Sequence, residues 1–96
     1  MKPRIIFKFR LYVAGDTPNS TQAKRNLAAL CRENLPDRYE IEIVDVFREP
    51  ERALADGIFM TPTLVKLAPS PLRKIVGTLN QTSSVLEALG VENVAV

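Results

Sequence analysis

Cys31, the carboxylates Glu40 and Glu42, and the cations Lys66, Arg73 and Lys74 are the side chains whose types and spacing could carry chemistry. A thiol is a nucleophile or redox centre when it is exposed beside positive charge. Cys31 instead falls on an apolar stripe with Ala23, Leu27 and Leu30 at helical spacing, where a free thiol behaves as a small hydrophobe. Glu40 and Glu42 share one face of a strand pattern and could bind a hard cation or exchange protons. No third oxygen ligand stands near them, so the expected role is a solvated strand edge that discourages edge-to-edge pairing. Lys66, Arg73 and Lys74 could form a basic patch, but no aromatic residues interleave them as stacking platforms, and a solvated hairpin is expected.

The inventory removes further chemistry. Histidine is absent, which rules out Ser-His-Asp triads, Cys-His pairs and His-ligated metals. Neither the glycine pattern of a dinucleotide fold nor that of a P-loop occurs. One cysteine cannot close an internal disulfide. Thirteen basic against eleven acidic residues leave +2, no large field to steer polyanions, so nucleic acid is not an expected partner. No apolar run approaches the roughly 20 residues of a membrane span, and Lys8 and Arg10 interrupt the apolar stretch near the N-terminus, so cytoplasmic residence is expected. No catalytic residue, metal or cofactor is expected, and residues 1–96 read as one domain.

The elements that position these residues follow from periodicity. Ile5, Phe7, Phe9, Leu11 and Val13 alternate with Lys8, Arg10 and Tyr12, predicting a strand over 5–13. Thr17 and Pro18 open a helix that Asn34-Leu35-Pro36-Asp37 ends. A second strand over 39–47 begins by alternating and then turns apolar through Val44, Val46 and Phe47, as if entering the core. Pro50 starts a short helix through Ala55, with Gly57 as its left-handed cap and Glu49, Glu51, Arg52 and Asp56 as surface residues. Strands over 63–68 and 72–77 flank Pro69-Ser70-Pro71, and Asn80 or Thr78 is expected to cap a last helix carrying Val85, Leu86 and Leu89. The order is βαβαββα, an α/β chain with a right-handed crossover and a terminal hairpin. Residues 91–96 fit no element.

Met60-Thr61-Pro62-Thr63-Leu64-Val65, opening a strand after a βαβα unit, resembles the cis-proline loop of thioredoxin-like domains, so the bond before Pro62 is expected to be cis and the sheet four-stranded and mixed. Where that fold carries its cysteines, after the first strand, this chain reads Ala14-Gly15-Asp16-Thr17-Pro18-Asn19-Ser20. Contact rather than redox catalysis is therefore expected. Residues 12–20, Ile43-Val44-Asp45-Val46, Thr61-Pro62-Thr63-Leu64, residues 69–77 and Val85-Leu86 closely resemble the KaiB family in order and spacing, over residues 5 to about 90.

The resemblance implies a non-enzymatic regulator in a circadian or related timing or stress system. It would dock on the N-terminal ring of KaiC, a hexameric RecA-like ATPase, compete there with the clock-linked histidine kinase SasA, whose sensor domain is similar to KaiB, and sequester KaiA. Glu49, Glu51, Arg52, Asp56, Gly57 and Phe59 are the implied docking face, and Ile41 with Glu42 the edge for a second partner. The family also switches folds: a tetrameric βαββααβ state converts to a thioredoxin-like monomer, with Pro62 as the expected pivot. Where relatives read Gly-Leu-Asp, this chain has Ala88-Leu89-Gly90; alanine favours helix by about 0.8–1 kcal/mol and Gly90 supplies a C-cap, so the thioredoxin-like monomer is expected to dominate. Gly57 stands where relatives carry lysine and Glu42 where a basic residue is common, changes able to redirect specificity. A thioredoxin-like interaction module for an unrelated partner is the alternative, and a thiol-redox protein a weaker one.

Overall fold

In the computed structural model, which describes residues 5–91, the chain runs β1 (Phe7–Val13), α1 (Pro18–Asn34), β2 (Tyr39–Asp45), α2 (Pro50–Ala55), β3 (Thr63–Ala68), β4 (Arg73–Val76) and α3 (Thr82–Leu89). The sheet order is β2-β1-β3-β4, with β1 and β2 parallel and both β1·β3 and β3·β4 antiparallel. This is the expected four-stranded mixed sheet in βαβαββα order. β2 and β4 are its edges. Residues 92–96, most of the unassigned C-terminal segment, lie outside the described residues.

Alternation along β1 divides the core in two. Phe7, Phe9, Leu11 and Val13 face α1 and α3, meeting Ala23, Leu27, Leu30 and Cys31 of α1 and Val85, Leu86 and Leu89 of α3. Tyr12, on the opposite face, packs with Val44, Val65, Ala53 and Ile58 beneath α2. Full burial of each large side chain contributes roughly 1.5–3 kcal/mol, and Phe9, Leu11, Leu27 and Leu64 are essentially inaccessible. Cys31 is buried among them, and desolvation pushes its thiol up to about 12, as its place on the apolar stripe led us to expect.

Several local expectations are corrected. Ile5 is half-exposed and precedes β1. β2 stops at Asp45 because the chain turns there: the Asp45 carboxylate accepts from the Phe47 amide at 2.9 Å, and the Asp45 carbonyl accepts from Arg48 and Glu49. Phe47 is thereby turned outward instead of entering the core. β4 is Arg73–Val76, one residue shorter at each end than expected. Neither Asn80 nor Thr78 caps α3; its N-cap is Gln81, without a side-chain bond. Thr17 precedes α1 as expected, but its hydroxyl donates to Ser20 Oγ at 2.9 Å and caps no amide. Lys66 is 3% exposed, so it belongs to no solvated hairpin patch. Among the described residues no helix is long and apolar enough to cross a membrane.

Candidate functional site

Three connections converge where the parallel strands β1 and β2 end. The first is the loop after β1, held by Ser20: its buried hydroxyl accepts from the Ala14 amide at 3.0 Å and from Thr17. The second is the turn after β2, where Asp45 Oδ1 also accepts from the Gly15 amide at 3.3 Å and so ties the two connections together. The third is residues 56–62 between α2 and β3. There the Thr61–Pro62 bond is cis, as expected, and the Thr63 hydroxyl donates to the Met60 carbonyl at 2.5 Å. In a redox enzyme of this shape a thiol pair would stand in the first loop, where residues 14–17 hold none.

What this end presents is apolar. Ala14, Val46, Phe47, Ala53, Ile58, Phe59, Met60 and Thr61 line a shallow hollow of about 210 Å³. Phe59 is 89% exposed, Phe47 73% and Met60 62%, and Leu54 on α2 is 72% exposed. Isolated apolar side chains at a surface are ordinary, but two phenylalanines and a methionine around one hollow are the composition of a protein-binding patch. Phe59, named from the sequence for the expected docking face, is exposed at this hollow. Phe47 and Met60 were missed, and the available signal was an Asx-type turn residue, Asp45, two positions before Phe47.

Three of the four charged residues of the expected docking face, Glu49, Arg52 and Asp56, are bonded within the chain. Arg10 Nε donates to Glu42 Oε1 at 2.8 Å and its Nη1 to Asp56 Oδ2 at 3.0 Å. Arg52 Nη2 reaches the same Glu42 oxygen at 2.8 Å and its Nη1 reaches Glu49 at 3.3 Å. The hydroxyl of the buried Tyr12 donates to Asp56 Oδ2, and Lys74 on β4 donates to the Asp56 carbonyl. Two arginines thus meet three carboxylates while Lys74 caps a backbone carbonyl, and the cluster as a whole is neutral. It straps α2 to β1, β2 and β4. Asp56 is half-buried and turned inward, so it is not the free surface residue expected; Glu51 alone of the four charged residues named on and beside α2 stands outside the network and is exposed.

The electrostatics follow this geometry. Hydrogen bonds from Arg52 and then Arg10 hold the Glu42 carboxyl down at about 2. The Tyr12 hydroxyl, followed by Arg10, lowers Asp56, while burial foremost and then Asp56 raise the Tyr12 phenol. Because the folded Glu42 value lies below the ordinary 4.5, its stabilisation is complete above about pH 4.5 and is lost as pH falls toward 2. Glu42 is 47% exposed and solvent screens it, so the loss amounts to about 1 kcal/mol or less. Acid titration followed by NMR should move the Arg10 and Arg52 side-chain signals across that window; signals indifferent to pH there would contradict the strap.

Gly57 adopts φ +67° just after α2, as its cap role required, and an added Cβ would meet Lys74 Nζ at 3.4 Å. Ile41 and Glu42 lie on the edge strand β2, Ile41 partly buried against the core and Glu42 exposed within the ion network. Pro62 is buried, Ala88 is exposed on α3, and Gly90 ends α3 in the left-handed conformation.

Comparison with known proteins places these features in a family. The KaiB domain model matches residues 10–91. Circadian clock protein KaiB3 of Synechocystis sp. is 43% identical over 82 residues, covering 85% of this chain and 80% of that protein. The circadian clock oscillator protein KaiB of Prochlorococcus marinus is 40% identical over 89 residues, covering 93% and 75%. Among solved structures, the N-terminal domain of Synechococcus elongatus SasA superposes with a TM-score of 0.74 at 14% identity, covering 97% of this chain and 91% of that one. Chloroplastic thioredoxin z superposes with a TM-score of 0.74 at 20% identity, covering 91% and 78%. The two superpositions establish the thioredoxin-like architecture, and the sequence matches establish descent: this chain belongs to the KaiB family.

Proposed function

We propose that this chain is a non-enzymatic clock-type regulator that binds the N-terminal ring of a KaiC-like hexameric ATPase through its apolar loop end. Phe59 and the hollow beside it form the centre of the contact, Phe47 and Met60 its walls, and Glu51 and Gly57 its rim. The observation that carries this reading is the exposure of two phenylalanines and a methionine at the cysteine-free end of a thioredoxin-like fold in a KaiB-family chain. Arg52, Glu49 and Asp56 act from behind, fixing α2 so that the loop after it is presented in one conformation.

Competition with a SasA-type kinase is part of the proposal, because two chains of one shape can contest one surface. The β2 edge at Ile41 and Glu42 is the proposed site for a KaiA-type partner, and the chain works as a thioredoxin-like monomer. The test is gel filtration of the purified chain with a phosphorylation-mimicking KaiC-type hexamer. Co-elution that a SasA sensor domain reverses is expected; elution at its own volume with every KaiC-type ring of the host would reject the assignment in favour of an unrelated partner.

Ala88 and Gly90 set the balance between the two proposed folds. Ala88 is exposed, so Ala88→Gly removes helix propensity of about 0.8–1 kcal/mol and little packing. A population shift of about fivefold away from the α3-containing form is expected by NMR peak volumes; unchanged volumes would count against this role.

A further inference from the structure

We propose that Lys66 is the latch of the C-terminal helix: its ammonium, carried by β3 into the α1/α3 layer, completes the carboxyl end of α3 and decides whether that helix stays docked on the sheet.

The need for a latch is visible in α3 itself. It has eight residues, no side-chain N-cap, no acidic residue in its first turn and no basic residue in its last. A helix this short does not persist alone in water. Its last four carbonyls lack intrahelical partners. Gly90, at φ +72°, turns the chain so that the Val91 amide bonds the Leu86 carbonyl at 3.0 Å and the Gly90 amide the Glu87 carbonyl at 3.1 Å. Ala88 is exposed to water, but Leu89 is fully buried and its carbonyl needs a donor from the protein.

Lys66 is that donor. It lies on the same sheet face as Leu64, opposite Phe9 on β1 and Arg73 on β4. Its Nζ bonds the Leu89 carbonyl at 3.0 Å and lies 6.0 Å from the centroid of the Phe7 ring. A cation at this point meets the negative end of the helix dipole, from which water is largely excluded. The ring beneath adds cation–π attraction. A lysine in a position that alternation assigns to the core costs desolvation, which lowers its pKa, with Arg73 adding repulsion. Apolar residues would fill the position without that cost but would leave the Leu89 carbonyl bare. The latch concerns α3 and is independent of the docking end.

Hydrogen exchange on Lys66→Met, which keeps the apolar stem, is the test. Amides of Val85, Leu86 and Leu89 should exchange at least about tenfold faster, while those of Phe9 and Leu11 change less than about threefold. Wild-type protection of α3, or equal acceleration of β1 and α3, would overturn the latch. Should the variant not fold, the wild-type protein decides: the Lys66 ammonium should show slowly exchanging protons with a scalar coupling to the Leu89 carbonyl carbon. Exchange as fast as that of exposed Lys8 would overturn the proposal.

Discussion

Phe59→Ala is expected to weaken binding to a KaiC-type ring by about 30- to 1000-fold while leaving the melting temperature within about 2 °C of wild type. The first half follows from position: an aromatic side chain beside a preformed hollow is the kind of anchor that carries about 2–4 kcal/mol when a partner desolvates it. The second follows from exposure, since a ring 89% open to solvent contributes almost nothing to the folded state of the isolated chain. Calorimetric titration and thermal melting on the same preparation separate the two. Binding within threefold of wild type would remove Phe59 from the interface. Because the charges around α2 neutralise one another internally, raising salt from 0.05 to 0.3 M should change the affinity of the wild-type chain only a few-fold.

Asp56→Ala should instead lose stability. It deprives the buried Tyr12 hydroxyl and the Arg10 guanidinium of their shared acceptor, and hydrogen bonds to a charged group are each worth roughly 1.5–3 kcal/mol. A net loss of about 2 kcal/mol, or roughly 8–16 °C in melting temperature, is expected, with α2 exchanging faster than the rest of the chain. Glu51→Ala, in the first turn of α2 and outside the network, should be neutral within about 0.5 kcal/mol. Equal stability of the two variants in urea titration would mean that the strap contributes nothing. The pair separates two roles that the sequence alone merges, since a carboxylate on a short polar helix reads as a surface group whether or not it faces the sheet.

That ambiguity marks what the amino-acid order could convey. Periodicity located the seven elements because apolar alternation in β1 and the stripe of α1 report burial directly. Pro50 and Gly57 bounded α2, and the Thr-Pro-Thr step marked the cis bond. Tertiary pairing stayed illegible. Arg10, Glu42 and Asp56 are 32 and 46 residues apart along the bonds that join them, and no local pattern announces such partners. Lys66 shows the converse case. Its charge implied solvent, but its position in the strand placed it in the layer under α3, and a buried carbonyl explains why a cation stands there. Phe47 was assigned to the core by its apolar run, and a single Asp45 side chain redirected it to the surface. In the candidate site, therefore, the scaffold and Phe59 were readable, whereas the apolar neighbours and the internal use of the charges required coordinates.

The most direct measurement is a hydrogen–deuterium exchange footprint of the chain mixed with a KaiC-type hexamer. Protection gained by the segments containing Phe47 and residues 57–61, with the outer face of α1 around Arg25 and Arg32 unchanged, is the expected result. Protection confined to α1, or no protection anywhere at saturating hexamer, would contradict contact through the apolar loop end.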